Sequence, residues 1–252
     1  MIDSRQRFSS RVENYIKYRP GYPPEVIETL RTDCHLTPDS IIADVGSGTG
    51  ISTEMFLRNG NLVYGIEPNR DMREAAEKLL EGNVRFRSIA ATAEETTLDS
   101  AGVDFVIAGQ AFHWFDRERA QVEFVRILKP GGWCVVLFNE RLTTTTPFLV
   151  DYEQLVRDYA VDYEQVDHRQ IDLETIRDFF SSEFKATQFK NLQVFDYAGV
   201  EGRLLSSSYM PEPDHPNHRP MLAELKRVFE RSQDQGKVNF EYLTKMYYGK
   251  LN

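Results

Sequence analysis

Ile41-Ile42-Ala43-Asp44-Val45-Gly46-Ser47-Gly48-Thr49-Gly50 passes directly from a run suited to a buried strand into three glycines separated by single residues. The next stretch, Ile51 to Asn59, has helical character and closes at Gly60, a natural C-terminal stop. Strand, glycine turn and helix in that order make a ligand cradle. Without Cβ atoms the chain can turn tightly and approach a ligand closely, and the helix start aims its unpaired N–H groups at the same spot. Glu67 adds to this. It follows the next candidate strand, Leu62 to Ile66, and lies 67 − 50 = 17 residues after Gly50, the length of one helix plus one strand. Both features should therefore meet at the carboxyl edge of neighbouring strands, where a carboxylate can accept both hydroxyl protons of a ribose.

Working outward, short apolar runs alternate with helical patterns from Ile41 to Phe138, the signature of parallel strands joined by crossover helices. Five parallel strands are predicted: Ile41 to Val45, Leu62 to Ile66, Val84 to Ile89, Val103 to Ala108 and Trp133 to Phe138. A helix over Asp71 to Leu80 opens after Asn69 and ends near Gly82, and Lys129-Pro130-Gly131-Gly132 predicts a sharp turn into the fifth strand. Past Asn139 the rhythm changes. Helix-like stretches cover Asp151 to Tyr163, Asp172 to Phe180 and Met221 to Gln233, Thr143 to Pro147 is a polar break, and Pro211 to Pro220 is a loop. Phe189 to Tyr197 and Tyr242 to Tyr248 alternate like strands returning to the sheet edge as an antiparallel pair. The expectation is an α/β fold: a doubly wound, mostly parallel seven-stranded sheet with helices on both faces. Its parts would be an N-terminal helical segment (1–40), a core (41–140 and 185–252) and a helical cap inserted after strand five (141–184).

Composition narrows the function. The 252 residues are 41% hydrophobic and 27% charged, enough to fill a core and cover a surface. Thirty basic against thirty-nine acidic side chains give a net charge of −9, which offers no electrostatic footprint for nucleic acid or anionic lipid. Cys34 and Cys134 stand far apart in no metal-ligand spacing, so no metal site is expected and a reducing compartment fits. The N-terminus lacks an apolar signal region, and apolar runs fall well short of the roughly 20 residues of a membrane helix. A cytoplasmic protein is expected. Glycines spaced G-x-G-x-G rather than G-x-G-x-x-G, with Asp44 ahead of them, argue against a dinucleotide. A carboxylate at Asp44 suits a ligand with a cationic amino group.

Asp44-Val45-Gly46-Ser47-Gly48-Thr49-Gly50 resembles the first motif of the class I S-adenosylmethionine-dependent methyltransferases, and Gly65-Ile66-Glu67-Pro68 resembles their acidic second motif. Ala91-Thr92-Ala93-Glu94-Glu95 is similar to the stretch lining the adenine. Gly109-Gln110-Ala111-Phe112-His113-Trp114-Phe115 is similar to the loop after strand four, and Leu128-Lys129-Pro130-Gly131-Gly132 to the turn before strand five. Arg7-Phe8-Ser9 through Tyr15, Tyr18-Arg19-Pro20 and Tyr22-Pro23 resemble the N-terminal segment that covers the cofactor in the small-molecule, trans-aconitate methyltransferase-like branch. The resemblance runs from about Phe8 to Phe138 and implies a Rossmann-like fold with S-adenosylmethionine as cofactor and S-adenosylhomocysteine as product. It further implies cofactor contacts from Tyr15, Tyr18, Arg19, Asp44, Gly46, Ser47, Gly48, Thr49, Gly50, Glu67, Pro68 and Met72. Ala93, Glu94, Gln110, Ala111 and Trp114 belong to the same implied set.

In-line displacement at a sulfonium depends on alignment and exclusion of water more than on covalent catalysis. The expected reaction is methyl transfer to an O, N or C atom of a small-molecule acceptor, by a monomer or homodimer. His113 is the candidate general base; flanked by Phe112, Trp114 and Phe115, it reads more readily as a packed loop residue. Arg141, Arg203, Tyr209, His215, His218 and Tyr247 are candidates for a substrate pocket under the cap. Two alternatives stay open from the residues: a nucleotide-cofactor oxidoreductase on the same sheet, and a cofactor-binding interaction protein without turnover.

Overall fold

The chain's alternation of apolar runs and crossover helices yields five parallel strands, because each crossover returns the next strand in the same direction. The computed structural model describes residues 11–161, 163 and 172–251. Its parallel strands are β1 (Ile41–Val45), β2 (Leu62–Ile66), β3 (Phe86–Ile89), β4 (Val103–Gly109) and β5 (Leu128–Arg141). Two long strands, β6 (Phe184–Phe195) and β7 (Val238–Gly249), complete a seven-stranded sheet in the order β3-β2-β1-β4-β5-β7-β6. β7 is antiparallel to both β5 and β6. The order reverses between β1 and β4, and that reversal opens a crevice at their carboxyl ends.

The helices are α1 (Val12–Tyr18), α2 (Glu25–Cys34), α3 (Ile51–Arg58), α4 (Arg70–Leu79), α5 (Arg117–Ile127), α6 (Pro147–Tyr159), α7 (Leu173–Phe180), α8 (Tyr197–Leu205) and α9 (His218–Ser232). On one sheet face, Val26 and Leu30 of α2 and Phe56 of α3 lie in one apolar cluster with Ile42, Val63, Ile107 and Val135. On the other, Phe124 and Ile127 of α5 and Phe179 and Phe180 of α7 join Ala43, Val45, Val106 and Val136. Successive strand residues face opposite sides, and both sides are covered, so the parallel strands read as nearly unbroken apolar runs.

Several boundaries differ from the sequence reading, each for a local reason. β3 starts at Phe86; Val84, 81% exposed, belongs to the preceding turn. Leu128 pairs with Val103 and Trp133 with Phe105, so Lys129 to Gly132 protrude as a bulge inside one strand rather than a turn before it. The polar break at Thr143 to Pro147 is a helix start: Thr146 accepts the Leu149 N–H at 3.2 Å and Pro147 takes the first turn, which needs no donor there. Tyr197 opens α8 instead of ending a strand, because Asp196 caps it through the Gly199 N–H at 2.8 Å. His218 lies in α9, not in a loop.

The segment 141–184, expected as one cap, is divided in space. α6 joins α8, α9 and β7 in a third apolar cluster built on Leu149, Tyr152, Val200, Leu225 and Phe240. α7 instead presents Ile176, Phe179 and Phe180, an i, i+3, i+4 stripe, to the sheet-side cluster of α5. The motif from Arg7 to Ser9 lies outside the described residues.

Candidate active site

Local chemistry shapes the turn after β1. The Gly46 and Ser47 N–H groups both donate to the Ile66 carbonyl, at 2.8 and 3.1 Å, which pins the turn to β2. Gly46 has φ 70°, and a Cβ there would collide with that of Ala111, so glycine lets the loop after β4 close down on the turn. Gly48, at φ 56°, is different: a Cβ there would meet no protein atom within 4 Å, because the position faces open cavity. Glu67 is joined to this turn. Its Oε2 accepts the Gly48 N–H at 2.9 Å and its Oε1 accepts the Asn69 N–H at 2.8 Å. Each oxygen retains acceptor capacity for a ribose hydroxyl. Burial pushes the Glu67 pKa up, against the pull of the two N–H groups and Arg73.

Asp44 lies fully buried behind Ser52, outside the cavity wall. Its Oδ2 accepts the Ser52 hydroxyl at 2.8 Å and the Thr53 hydroxyl at 2.6 Å. Among the described residues its Oδ1 has no hydrogen-bond partner, and neither has the buried Thr49 hydroxyl. Burial raises the Asp44 pKa to about 6, only partly countered by the two hydroxyls.

The glycine turn, the loop after β4, the end of β5 and the α1 and α8 regions enclose a cavity of about 270 Å³. Of the residues implied for the cofactor, it brings together Tyr15, Arg19, Gly46, Ser47, Gly48, Thr49, Glu67, Pro68 and Met72 with Ala93, Glu94, Gln110, Ala111 and Trp114. Four expected site residues do not line it. Asp44 is behind the wall, and Gly50, as the N-cap of α3, faces Leu80. The Tyr18 ring lies against Gly202, with Phe195 edge-on to it at 6.1 Å. His113 sits in a single 3₁₀ turn, Phe112–Trp114, that sends Phe112 into the core and Trp114 to the cavity; its own ring leans on Trp114 at 4.7 Å.

Away from the glycine turn, the cavity wall changes character. Arg141, Arg203 and Tyr209 of the expected substrate set line it, joined by Arg19, Asn139, Tyr22 and Tyr163, most of which the sequence reading missed for this role. His215, His218 and Tyr247 stay outside: the His218 ring is bonded to the Pro211 carbonyl at 2.9 Å, and Tyr247 packs on Phe184. Arg203, 6% exposed, donates to the Tyr242 hydroxyl at 3.1 Å and the Ser207 hydroxyl at 3.3 Å. Arg19 donates to the Ser206 carbonyl at 2.9 Å and reaches the same Ser207 hydroxyl at 3.5 Å. Burial lowers the Arg19 pKa, and the Arg203 charge lowers it further. Arg141 pairs with Glu153 at 2.6 Å and covers the Tyr152 ring. The first segment is fastened to the stretch that ends and follows α8: Arg11 donates to the carbonyls of Leu205, Ser207 and Met210.

An open α/β sheet with a glycine turn and a strand-end acid at its switch point defines a nucleoside-cofactor site. Residues 43–136 match the methyltransferase domain family. An uncharacterized methyltransferase of Mycobacterium tuberculosis is 35% identical over 139 residues, covering 55% of this chain and 54% of that protein, so the chain spans about half the length of such curated relatives. An uncharacterized methyltransferase of Schizosaccharomyces pombe is 25% identical over 95% of both chains. Among solved structures, a candidate type II methyltransferase of Anaeromyxobacter dehalogenans aligns with TM-score 0.66 at 20% identity, over 92% of this chain and 98% of that one. Phosphoethanolamine N-methyltransferase 2 of Haemonchus contortus, in complex with S-adenosyl-L-methionine, aligns with TM-score 0.58 at 15% identity, over 100% of this chain and 59% of that one. Residues 43–136 therefore form a methyltransferase domain of the S-adenosylmethionine-dependent kind.

The cavity suits that cofactor. Glu67 offers two acceptors for ribose hydroxyls, Gly48 leaves room beside them, and the partnerless oxygen of Asp44 supplies negative charge behind Ser52 for a cationic amino group. No helix among the described residues is long and apolar enough to cross a membrane.

Proposed function

We propose that the protein transfers the methyl group of S-adenosylmethionine to a carboxylate oxygen of a small organic acid. One observation carries this reading: Arg19, Arg141 and Arg203 share the far wall of the cavity, and among the described residues their one carboxylate partner is Glu153, on Arg141. Arg19 and Arg203 hold hydrogen bonds to a carbonyl and to hydroxyls, and among the described residues these leave the two charges uncompensated. Enclosed cations without counter-charge are costly, and an anionic ligand offsets that cost through charge-assisted hydrogen bonds. Two anionic groups are called for, one being the carboxylate of the cofactor's methionine moiety and the other the acceptor.

The cofactor supplies a methyl group on a positively charged sulfur, open to in-line displacement. The acceptor's carboxylate forms an O–C bond as the C–S bond breaks, and no proton has to be removed. The wall fits a reaction without a base. His113 does not line it, and burial pushes the Tyr22 phenol well above its ordinary pKa, which keeps it neutral. Arg203 and Arg141 then orient the acid, while Trp114, Phe115 and the cap exclude water.

The test is a panel of small mono-, di- and tricarboxylates, phenols and amines incubated with methyl-labelled S-adenosylmethionine. Label should appear as base-labile methyl esters in the acid wells. Label in phenols or amines, with none in acids, sinks the proposal.

A further inference from the structure

Where β4 leaves the sheet, Gln110 adopts φ 56°, a left-handed conformation that glycine or asparagine tolerates far better than glutamine. A strained residue on a cavity wall persists only where its surroundings hold it. Gln110 is held twice by one strand: its N–H donates to the Leu137 carbonyl at 2.9 Å, and its side-chain Oε1 accepts the Asn139 N–H at 2.7 Å. The second bond settles which way the carboxamide points. A backbone N–H only donates, so the oxygen must face Asn139 and the NH2 group must face elsewhere.

Asn139 is itself immobilised. Its side-chain oxygen accepts from the Thr244 hydroxyl at 2.5 Å and from Asn191 at 3.2 Å, and its amide donates to the Gly21 carbonyl at 3.1 Å. The relay therefore ties β5, β6, β7 and the segment before α2 to one carboxamide. Its position is also telling. Ala111, the next residue, touches the Gly46 turn, and Asn139 is followed two residues later by Arg141 on the same cavity wall. Gln110 thus lies on the cavity wall between the glycine turn and the strand that carries Arg141.

We infer that Gln110 is a specificity-determining residue, donating its side-chain N–H groups to an oxygen of the acceptor and so selecting acceptors that present one beside the reacting group. This rests on the acid-methylating reading above. The arginines neutralise the acid from the far wall; Gln110 fixes its rotation, so that an oxygen lone pair faces the methyl group while the O–C bond forms and the C–S bond breaks. The implied cofactor contact of Gln110 is then made by its backbone and not by its carboxamide.

Gln110→Glu is the decisive variant. It keeps an oxygen for the Asn139 N–H and nearly the same volume, but replaces the donor with a second oxygen. With an acid that the wild type methylates, kcat/KM at pH 7.5 should fall at least about 100-fold. The affinity for S-adenosylhomocysteine should stay within about threefold. Lowering the pH should restore part of the variant-to-wild-type ratio, because the protonated carboxyl can donate again; a purely structural residue would give no such recovery. Gln110→Met, with no donor at any pH, should show the loss without the recovery, and it serves if the first variant does not fold. An unchanged kcat/KM in either variant overturns the inference, as does an equal loss of S-adenosylhomocysteine affinity. A wild type that methylates amines and no acids overturns the acid reading and this inference together; a working acid with unaffected variants overturns this inference alone.

Discussion

The cofactor end of the cavity draws Gly46, Gly48, Glu67 and Met72 from one strand–turn–helix unit, the end of the strand beside it and the helix α4 that follows, and much of its chemistry comes from main-chain N–H groups. The arginine end draws Arg19, Asn139, Arg141, Arg203 and Tyr209 from four separate segments, and its chemistry is all side chain. The contrast explains how one fold serves many acceptors. A backbone cradle is fixed by φ and by sheet register, whereas a side-chain wall can be rebuilt without disturbing the sheet.

The largest expected effect breaks the cradle alone. Gly48→Val places a β-branched side chain at φ 56° and fills the space the ligand needs, so S-adenosylhomocysteine binding should weaken by at least about 1,000-fold, or about 4 kcal/mol. Calorimetric titration giving an affinity within tenfold of wild type would remove the cavity from the cofactor's path. Arg203→Met tests the opposite end. Acceptor kcat/KM should drop about 100-fold, or about 2.7 kcal/mol, while S-adenosylhomocysteine affinity stays within about threefold. Thermal stability should hold or rise, because the charge that depresses Arg19 is gone. Equal losses of cofactor and acceptor binding would show that the two ends are not separable.

Glu67→Ala should cost about 1 to 3 kcal/mol of cofactor affinity, as two charge-assisted ribose contacts go and the Gly48 and Asn69 N–H groups lose their acceptor. Unchanged affinity would move the ribose elsewhere. A smaller effect follows from Asp44. Its pKa in the folded protein is raised to about 6, so the folded chain holds a proton that the unfolded chain has lost in the window from the ordinary aspartate value up to about pH 6. Its contribution to stability therefore declines as pH rises through that window. Cofactor binding runs the other way: the ionised carboxylate attracts the amino group, so affinity should be greatest above pH 6 and fall by up to about tenfold per unit below it. Asp44→Asn should flatten that profile, and an identical slope in the variant would assign the dependence to another group. The smallest effect is expected from His113→Ala: kcat within about twofold, where removal of a general base costs about 100-fold or more. A loss of that size would return the imidazole to the reaction.

Much of the first end was legible because its signals are contiguous. The glycine spacing, the strand before it and Glu67 one helix and one strand later are local facts, and parallel register brings them together. Asp44 shows the limit of such reading. Its type was informative, but alternation along β1 turns its side chain to the face covered by α3, where Ser52 and Thr53 receive it. The second end carried no comparable pattern. Arg141 and Arg203 were visible as charged residues, yet nothing near either in the chain distinguishes them from solvated arginines. Asn139 and Tyr163 gave no signal, since their positions depend on β7 pairing between β5 and β6 and on the third apolar cluster.

The amino-acid sequence by itself determined the parallel strands and the nucleoside cradle, because periodicity, glycine and a strand-end acid act over one or two neighbouring elements. Only the tertiary structure decided the acceptor side. Burying α6, α8 and α9 against one another and against β7 is a long-range packing result, and it is that packing which gathers three guanidinium groups on one wall, two of them without a carboxylate partner among the described residues.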